Sequence, residues 1–389
     1  MFVHPLRGMK AMRRISIFLF FLAGLIILAT DSAAMDKEQI IGHVAELSGS
    51  VDVKQAKQVY WAKASLNMAV YFGDNIRTGD DGRGLIRLVD DSIVQVRPNS
   101  HIVLNTIISP VEKKNSILLF FGRIWNKISK KALRRKVFEV QTPTAVCGVR
   151  GTDFETASYD DGTMLVTVNT GQVEVDNEAD QTTLSANQGA SIQFNQKAIE
   201  AQSDYQPDWG EKRSQSQENL LADGKKYGGY VSEEIYRRRD YMKQLVDRAS
   251  DLLAKKEQLR AAAAEAKEKG DLLAAESLLA EINKITEEQK SVNKQIAYYG
   301  RRLECHFGLF SHYGDIAKDP ELSQRFQGRE YILNQLDDIE SIRAEFNAMV
   351  EEGMKMSMED MEDMMDEMRD KMRMFKDQKG KKSIFSEME

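Results

Sequence analysis

The apolar residues of this chain change their spacing once, and that change decides the fold class. From Ile40 to Asn195 they alternate with polar residues in short runs broken by Gly and Asp; beyond residue 231 they recur at intervals of three and four. Alternation marks strands with one buried face, and the longer interval marks helices with one buried stripe. The order predicts an α+β, multidomain chain. An all-β module over 40–195, a roll or solenoid-like arrangement or a sandwich, comes first. A polar linker over 196–231 follows, with Pro207, Gly210, Gly224, Gly228 and Gly229. A long antiparallel helical hairpin or coiled coil then covers 232–305, and a third helix with a Met-rich tail covers 319–376.

Inside the β region the predicted strands are short and the turns dense, which favours the roll. Asp80-Asp81-Gly82 and Asp160-Asp161-Gly162 carry the chemistry of tight corners, and Asn169-Thr170-Gly171 that of a hairpin. A Gly-x-Val/Ile echo falls at Gly49, Gly122 and Gly171, too irregular to establish a repeat. Trp61 and Tyr71-Phe72 are candidate core or edge anchors. The stretch Thr142-Pro143-Thr144-Ala145-Val146-Cys147-Gly148-Val149-Arg150-Gly151-Thr152-Asp153-Phe154-Glu155 reads as a strand with one sharp excursion. Pro143 fixes its own φ and holds Thr142 extended, while Gly148 and Gly151 permit close approach or φ > 0. Neither a nucleophile–base pair nor a phosphate loop is present in it.

That stretch resembles the signature of the FecR-domain family, TPTAVAGVRGTxF. The resemblance extends upstream to Gly73-Asp74-Asn75-Ile76-Arg77-Thr78-Gly79, Gly82-Arg83-Gly84 and Asp91-Ser92-Ile93-Val94. Downstream it reaches Gly171-Gln172-Val173-Glu174-Val175 and Gly189, and in all it spans about Ile40 to Asn195. Cys147 stands where the family pattern has alanine, and Asp90-Asp91-Ser92 where a DGS-like turn is usual. The resemblance implies an extracytoplasmic all-β module used in signalling or envelope organisation. Only Met1 to Arg14 precede the first apolar run, too short to hold a sigma factor, so anti-sigma activity is not carried over.

Residues 1–34 read as an export signal. Arg7, Lys10, Arg13 and Arg14 precede the apolar run Ile15 to Ala29, and Ser32-Ala33-Ala34 supplies a cleavage site. A retained N-terminal anchor is the alternative. Either way the expected location is periplasmic or extracellular. A net charge of −6 argues against general nucleic-acid binding. Two cysteines, Cys147 and Cys305, are too few for a disulfide framework, and Cys147 reads as a small buried residue. A basic stretch from Lys113 to Lys136, interleaved with Phe120, Phe121, Trp125 and Leu133, reads as a solvated face; the sharper reading is contact with an anionic envelope surface.

The helical seam is Met242, Leu245, Ala249, Leu252, Leu259 and Ala266, then Leu278, Ile282, Ile285, Val292, Ile296, Tyr299 and Leu303 across a Lys269-Gly270-Asp271 turn. Arms of about 35 residues, ~50 Å each, are expected. Cys305, His306, His312 and Asp315 match no zinc spacing and read as a partly buried loop. Asp319-Pro320-Glu321 reads as a helix start before Ile332, Leu336, Ile339, Phe346 and Val350. Met354, Met358, Met361, Met365, Met368 and Met372 form a helical stripe suited to packing; Cu(I) binding is the sharper alternative.

No catalytic, cofactor or metal residue emerges, and no small-molecule substrate is expected. The sequence points to a non-enzymatic exported envelope protein. Its β module would recognise or organise an envelope protein or wall polymer, and its helices would self-associate. A sensory component relaying an external signal through a membrane partner is the alternative.

Overall fold

The computed structural model describes residues 40–56, 58–104, 115–129, 138–149 and 151–351. The N-terminal segment expected to be an export signal and the Met-rich tail lie outside them, as do seven of the nine basic positions between Lys113 and Lys136.

Among the described residues seventeen strands form two sheets that share one strand. The first sheet contains β1 (Ile40–Ser48), β6 (Arg83–Leu88), β7 (Ile93–Val96), β12 (Asp153–Ser158), β13 (Met164–Thr170), β16 (Gln188–Ile192) and β17 (Gln202–Ser203). The second contains β2 (Val51–Lys54), β3 (Ala62–Lys63), β5 (Asn75–Thr78), β8 (His101–Leu104), β10 (Phe138–Gln141), β11 (Val146–Val149), β14 (Gln172–Asp176) and β15 (Gln181–Ser185). The short β4 (Ala69–Tyr71) pairs with β1. The shared strand is β9 (Asn115–Lys127). Up to Phe121 it pairs with β8 and, in parallel, β10; from Gly122 it pairs with β7 and β12. The chain repeatedly forms a hairpin in one sheet and then turns a corner into the other. This is a two-sheet roll, with Val51, Ile76, Ile102, Val140 and Val173 of one sheet facing Ile86, Val94, Phe154 and Val166 of the other in a single core.

The Gly-x-Val/Ile echo is the mark of those corners. Gly49 lies between β1 and β2, Gly122 within β9, and Gly171 between β13 and β14, each with φ between 63° and 98°. The apolar residue two places on, Val51, Ile124 or Val173, enters the core. At Gly122 a Cβ would come within 2.4 Å of the Ser100 Cα. There Ser100 Oγ accepts from the Arg123 amide at 2.9 Å and donates to the Arg123 carbonyl at 3.2 Å. A hydroxyl thus satisfies backbone groups released where the strand changes sheet. Asp91, in the DGS-like turn, also sits at positive φ (67°), which Asp tolerates better than most residues.

Helix α1 spans Trp209–Ala222, α2 Gly224–Glu268 and α3 Leu272–Lys318; α4 covers residues 329–351. The stretch expected to be a linker therefore carries α1 and the first turns of α2. It buries Ser216, Leu220, Leu221, Gly228 and Val231. Its glycines serve close packing rather than flexibility: a Cβ on Gly224 would lie 2.2 Å from the Phe326 ring, and one on Gly228 2.3 Å from Ile332 Cδ1. Helices α2 and α3 are antiparallel. Tyr241 meets Gln295, Arg248 meets Glu288 and Lys255 meets Glu281 across a constant register. The arms are 45 and 47 residues, about 70 Å each. They exceed the expected length because the helices run on past both ends of the legible seam. Helix α4 lies parallel to α2, with Ser232 beside Tyr331 and Lys243 paired with Glu345. Ile332, Leu336, Ile339, Ile342 and Phe346 close the bundle core. Asp319 does not start that helix. It ends α3 and caps the short 3-10 turn Leu322–Gln324 through the Glu321 and Leu322 amides, and Gly328 (φ 87°) precedes α4.

The β roll and the bundle meet at α3. Val103, Leu118 and Phe120, on the outer face of the second sheet, cluster with Cys305. Gly308 lies flat on Phe120, so that a Cβ there would be 2.2 Å from the ring. This explains why β10 and the first half of β9 are buried on both faces, Glu139 and Gln141 of β10 included.

Candidate functional site

The signature turn between β10 and β11 is held from both sides. Thr142 N donates to the Ala145 carbonyl at 3.0 Å, and Thr142 Oγ1 accepts from the Ala145 amide at 3.1 Å. Thr144 Oγ1 donates to the Gly162 carbonyl of the β12–β13 hairpin. Pro143 has no amide to offer, and its carbonyl turns outward. Arg302 Nη2 of α3 donates to it at 3.3 Å and to the Thr144 carbonyl at 3.2 Å. The family-like residues upstream have similar duties. The Asp74 carboxylate accepts from the Ala56 and Tyr71 amides at 3.1 and 2.9 Å, and Thr78 Oγ1 donates to the Arg97 carbonyl at 2.6 Å. Ser92 Oγ accepts from the Ser129 amide at 3.1 Å. These motif side chains hold corners of the roll together.

Around the Arg302 contact lies a buried charge group that the sequence did not announce. Arg302 and Arg238 are each 2% exposed. Between them stands Glu178, in the β14–β15 hairpin at φ 72°. Arg238 Nη1 donates to Glu178 at 2.7 Å, Arg302 Nε lies 3.4 Å from the same carboxylate, and Arg237 lies 3.6 Å from its other oxygen. Glu234 pairs with Arg237 and with Arg238 at 3.0 Å. Burial alone would raise the Glu178 pKa, but Arg302 and Arg238 outweigh it and hold the carboxyl below the ordinary range. Burial, with Arg238 close by, lowers the Arg302 pKa. Arginines spaced along a helical hairpin look like surface residues; only the packing of α2 and α3 on the roll reveals Arg238 and Arg302 as buried.

The other candidates are dispersed. Cys305, His306, His312 and Asp315 lie on α3, not in a loop. Cys305 Sγ faces the Gln141 carbonyl at 3.5 Å, and His312 pairs with Asp160 at 3.0 Å while stacking on Phe121. Asp315 is exposed. Among the described residues no three His, Cys, Asp or Glu side chains are grouped to hold a metal. Cys147 and Cys305 are free and buried, and burial pushes each thiol up to about 12. Of the basic stretch, Arg123 pairs with Glu155 and lies over the Trp209 ring, and Trp125 Nε1 donates to Asp153 at 2.7 Å. No helix among the described residues is long and apolar enough to cross a membrane.

Comparison with known proteins agrees with the signature. Residues 74–174 match the family model for FecR, described as FecR protein. This stretch is a FecR domain. Among solved structures, two crystal structures of a "putative anti-sigma factor" from Parabacteroides distasonis ATCC 8503 align at 22% identity and TM-score 0.30. Each alignment covers 33% of this chain and 59% of that one, so the chain spans under two thirds of these neighbours. A cell surface anchoring domain aligns at 28% identity and TM-score 0.16 over 17% of this chain and 84% of its own. A search of curated proteins gave no match. The FecR model ends at residue 174, short of the Arg302 side chain that braces its signature turn.

Proposed function

We propose that this is a non-enzymatic exported envelope protein. Its FecR domain presents one open sheet face to an envelope protein or wall polymer, and its helices serve association. The observation that carries the reading is the unequal covering of the roll. The middle of the second sheet, over β8, β9 and β10, is covered by α3 through Phe120 and Gly308, while Arg77, Glu174 and Thr183 toward its edges stay exposed. The first sheet keeps an outward polar face, with Arg87 exposed and Trp125, Glu155 and Arg97 half-buried. Trp209 of α1 covers only the end of that face, beside Ala157 and Leu165. A central aromatic ringed by paired charges is the composition of a recognition surface. The groups that could make or break bonds point the other way: both thiols are buried and protonated, and burial keeps His306 neutral. At the far end of the hairpin Leu272 and Leu273 are 70% and 81% exposed, which supports association there.

The test uses the full-length protein. Capture from envelope extracts is compared between wild type, Trp125→Ala with Arg87→Glu, and Leu272→Glu with Leu273→Glu. The reading expects the first pair to lose the captured partner and the second to lower the oligomeric state. Capture that ignores the sheet variants, or turnover of a defined small molecule, refutes it.

A further inference from the structure

A cavity of about 350 Å³ opens where the signature turn, the β14–β15 hairpin, the turn after β16, α2 and α3 converge. Its walls include Thr144, Glu178, Arg237, Arg238, Arg302 and His306. We propose that this cavity binds a carboxylate that carries a neighbouring hydrogen-bond donor, as at a peptide C-terminus.

Three observations converge on that chemistry. The first is the charge balance. Arg237, Arg238 and Arg302 face two carboxylates, Glu178 and Glu234, and Lys197 stands at the rim. The site therefore has room for further negative charge. The second is an unmet donor. Arg302 Nη1 and Arg238 Nε are buried and have no hydrogen-bond partner among the described residues. A buried guanidinium N–H without an acceptor is left desolvated and unpaired, so an acceptor arriving there is favoured. Nη2 of Arg302 is taken by the Pro143 and Thr144 carbonyls, so an incoming carboxylate would engage the open Nη1 in a charge-assisted hydrogen bond. The third is an unmet acceptor. His306 Nδ1 donates to the Arg302 carbonyl at 2.6 Å, which leaves Nε2 as a lone pair, buried and without a partner among the described residues. One turn separates His306 from Arg302 on the same helix face. A ligand offering an acceptor and a donor side by side meets both needs. The cavity lies at the small end of ligand pockets, the size for a short terminus or a small acid.

The site shares no residue with the open sheet face, so the two readings fail separately. Titration calorimetry and thermal shift on the full chain test it, at matched ionic strength. The probes are N-acetyl-alanyl-alanine, its C-terminal amide, lactate as a free hydroxy acid, and inorganic phosphate. Saturable binding by the free-acid dipeptide, lost in the amide, supports a peptide terminus. Binding by lactate without the dipeptide supports the same chemistry from a small free acid. Arg237→Gln, at the exposed rim, should weaken either by about tenfold without unfolding the chain. Arg302→Lys should abolish binding, and a circular dichroism spectrum shows whether the variant has folded. Binding of phosphate alone, equal binding of acid and amide, no saturable binding, or an unchanged affinity in Arg237→Gln each overturns the proposal.

Discussion

Single atoms decide how this chain is joined. Gly308 has no side chain because the Phe120 ring occupies the place a Cβ would take. Gly308→Ala must displace α3 or the ring, and overpacking of this kind costs about 1–3 kcal/mol. Urea denaturation should show that loss, and adding Phe120→Leu should recover part of it; full additivity would show that the two do not meet. A second residue-scale prediction concerns pH. His101 sits among Trp61, Phe120 and Phe121, with Nε2 3.2 Å from Asn75 Oδ1. Burial first, then Lys54, lowers its pKa from 6.5 to about 3. The unfolded chain therefore takes up a proton that the folded chain refuses. Stability is full above pH 6.5 and falls as the pH drops toward 3. In His101→Phe the fall over that window should be shallower by about one proton. An unchanged slope would mean that His101 titrates normally.

At the scale of elements, the hairpin gains its stability from its seam. Ile285 is buried between the arms, whereas the Arg248–Glu288 pair across them is exposed. Ile285→Ala should cost about 2–5 kcal/mol and Arg248→Ala under about 1 kcal/mol, measured by chemical denaturation. Comparable losses would shift the account from packing to ion pairing. The seam was legible because Ile282, Ile285, Val292 and Leu303 keep a helical interval that nothing else explains. The roll was legible through its short alternating runs and dense turns; the Gly49, Gly122 and Gly171 echo, too irregular to establish a repeat, marks the sheet corners only once the strands are seen. The helix α1 and the start of α2 were not legible. Gly224 and Gly228 have the composition of a linker, and only Phe326 and Ile332, about a hundred residues later, show what they accommodate. The arginine group was hidden for the same reason. Arg302, next to Arg301 in a long helix, reads as solvated until the signature turn is seen against it. Asp319 was misread because a capped 3-10 turn and a capped helix share their first residues.

For the whole molecule, the FecR domain is not a free module with helices appended. Over β8, β9 and β10 its second sheet has two buried faces, the inner against the first sheet and the outer against α3. Removing the helices would expose Val103, Leu118 and Phe120 together, an apolar patch on a sheet. Arg302 would also leave the Pro143 and Thr144 carbonyls without their donor. The roll and the bundle should therefore unfold as one unit. The three tryptophans are Trp61 and Trp125 in the roll and Trp209 at its edge, so their fluorescence follows the roll. The circular dichroism signal at 222 nm follows the long helices. The decisive measurement is a single urea titration of the full-length protein read by both signals. Coincident midpoints and slopes are the predicted result; a roll that melts at a different denaturant concentration from the helices would contradict the account.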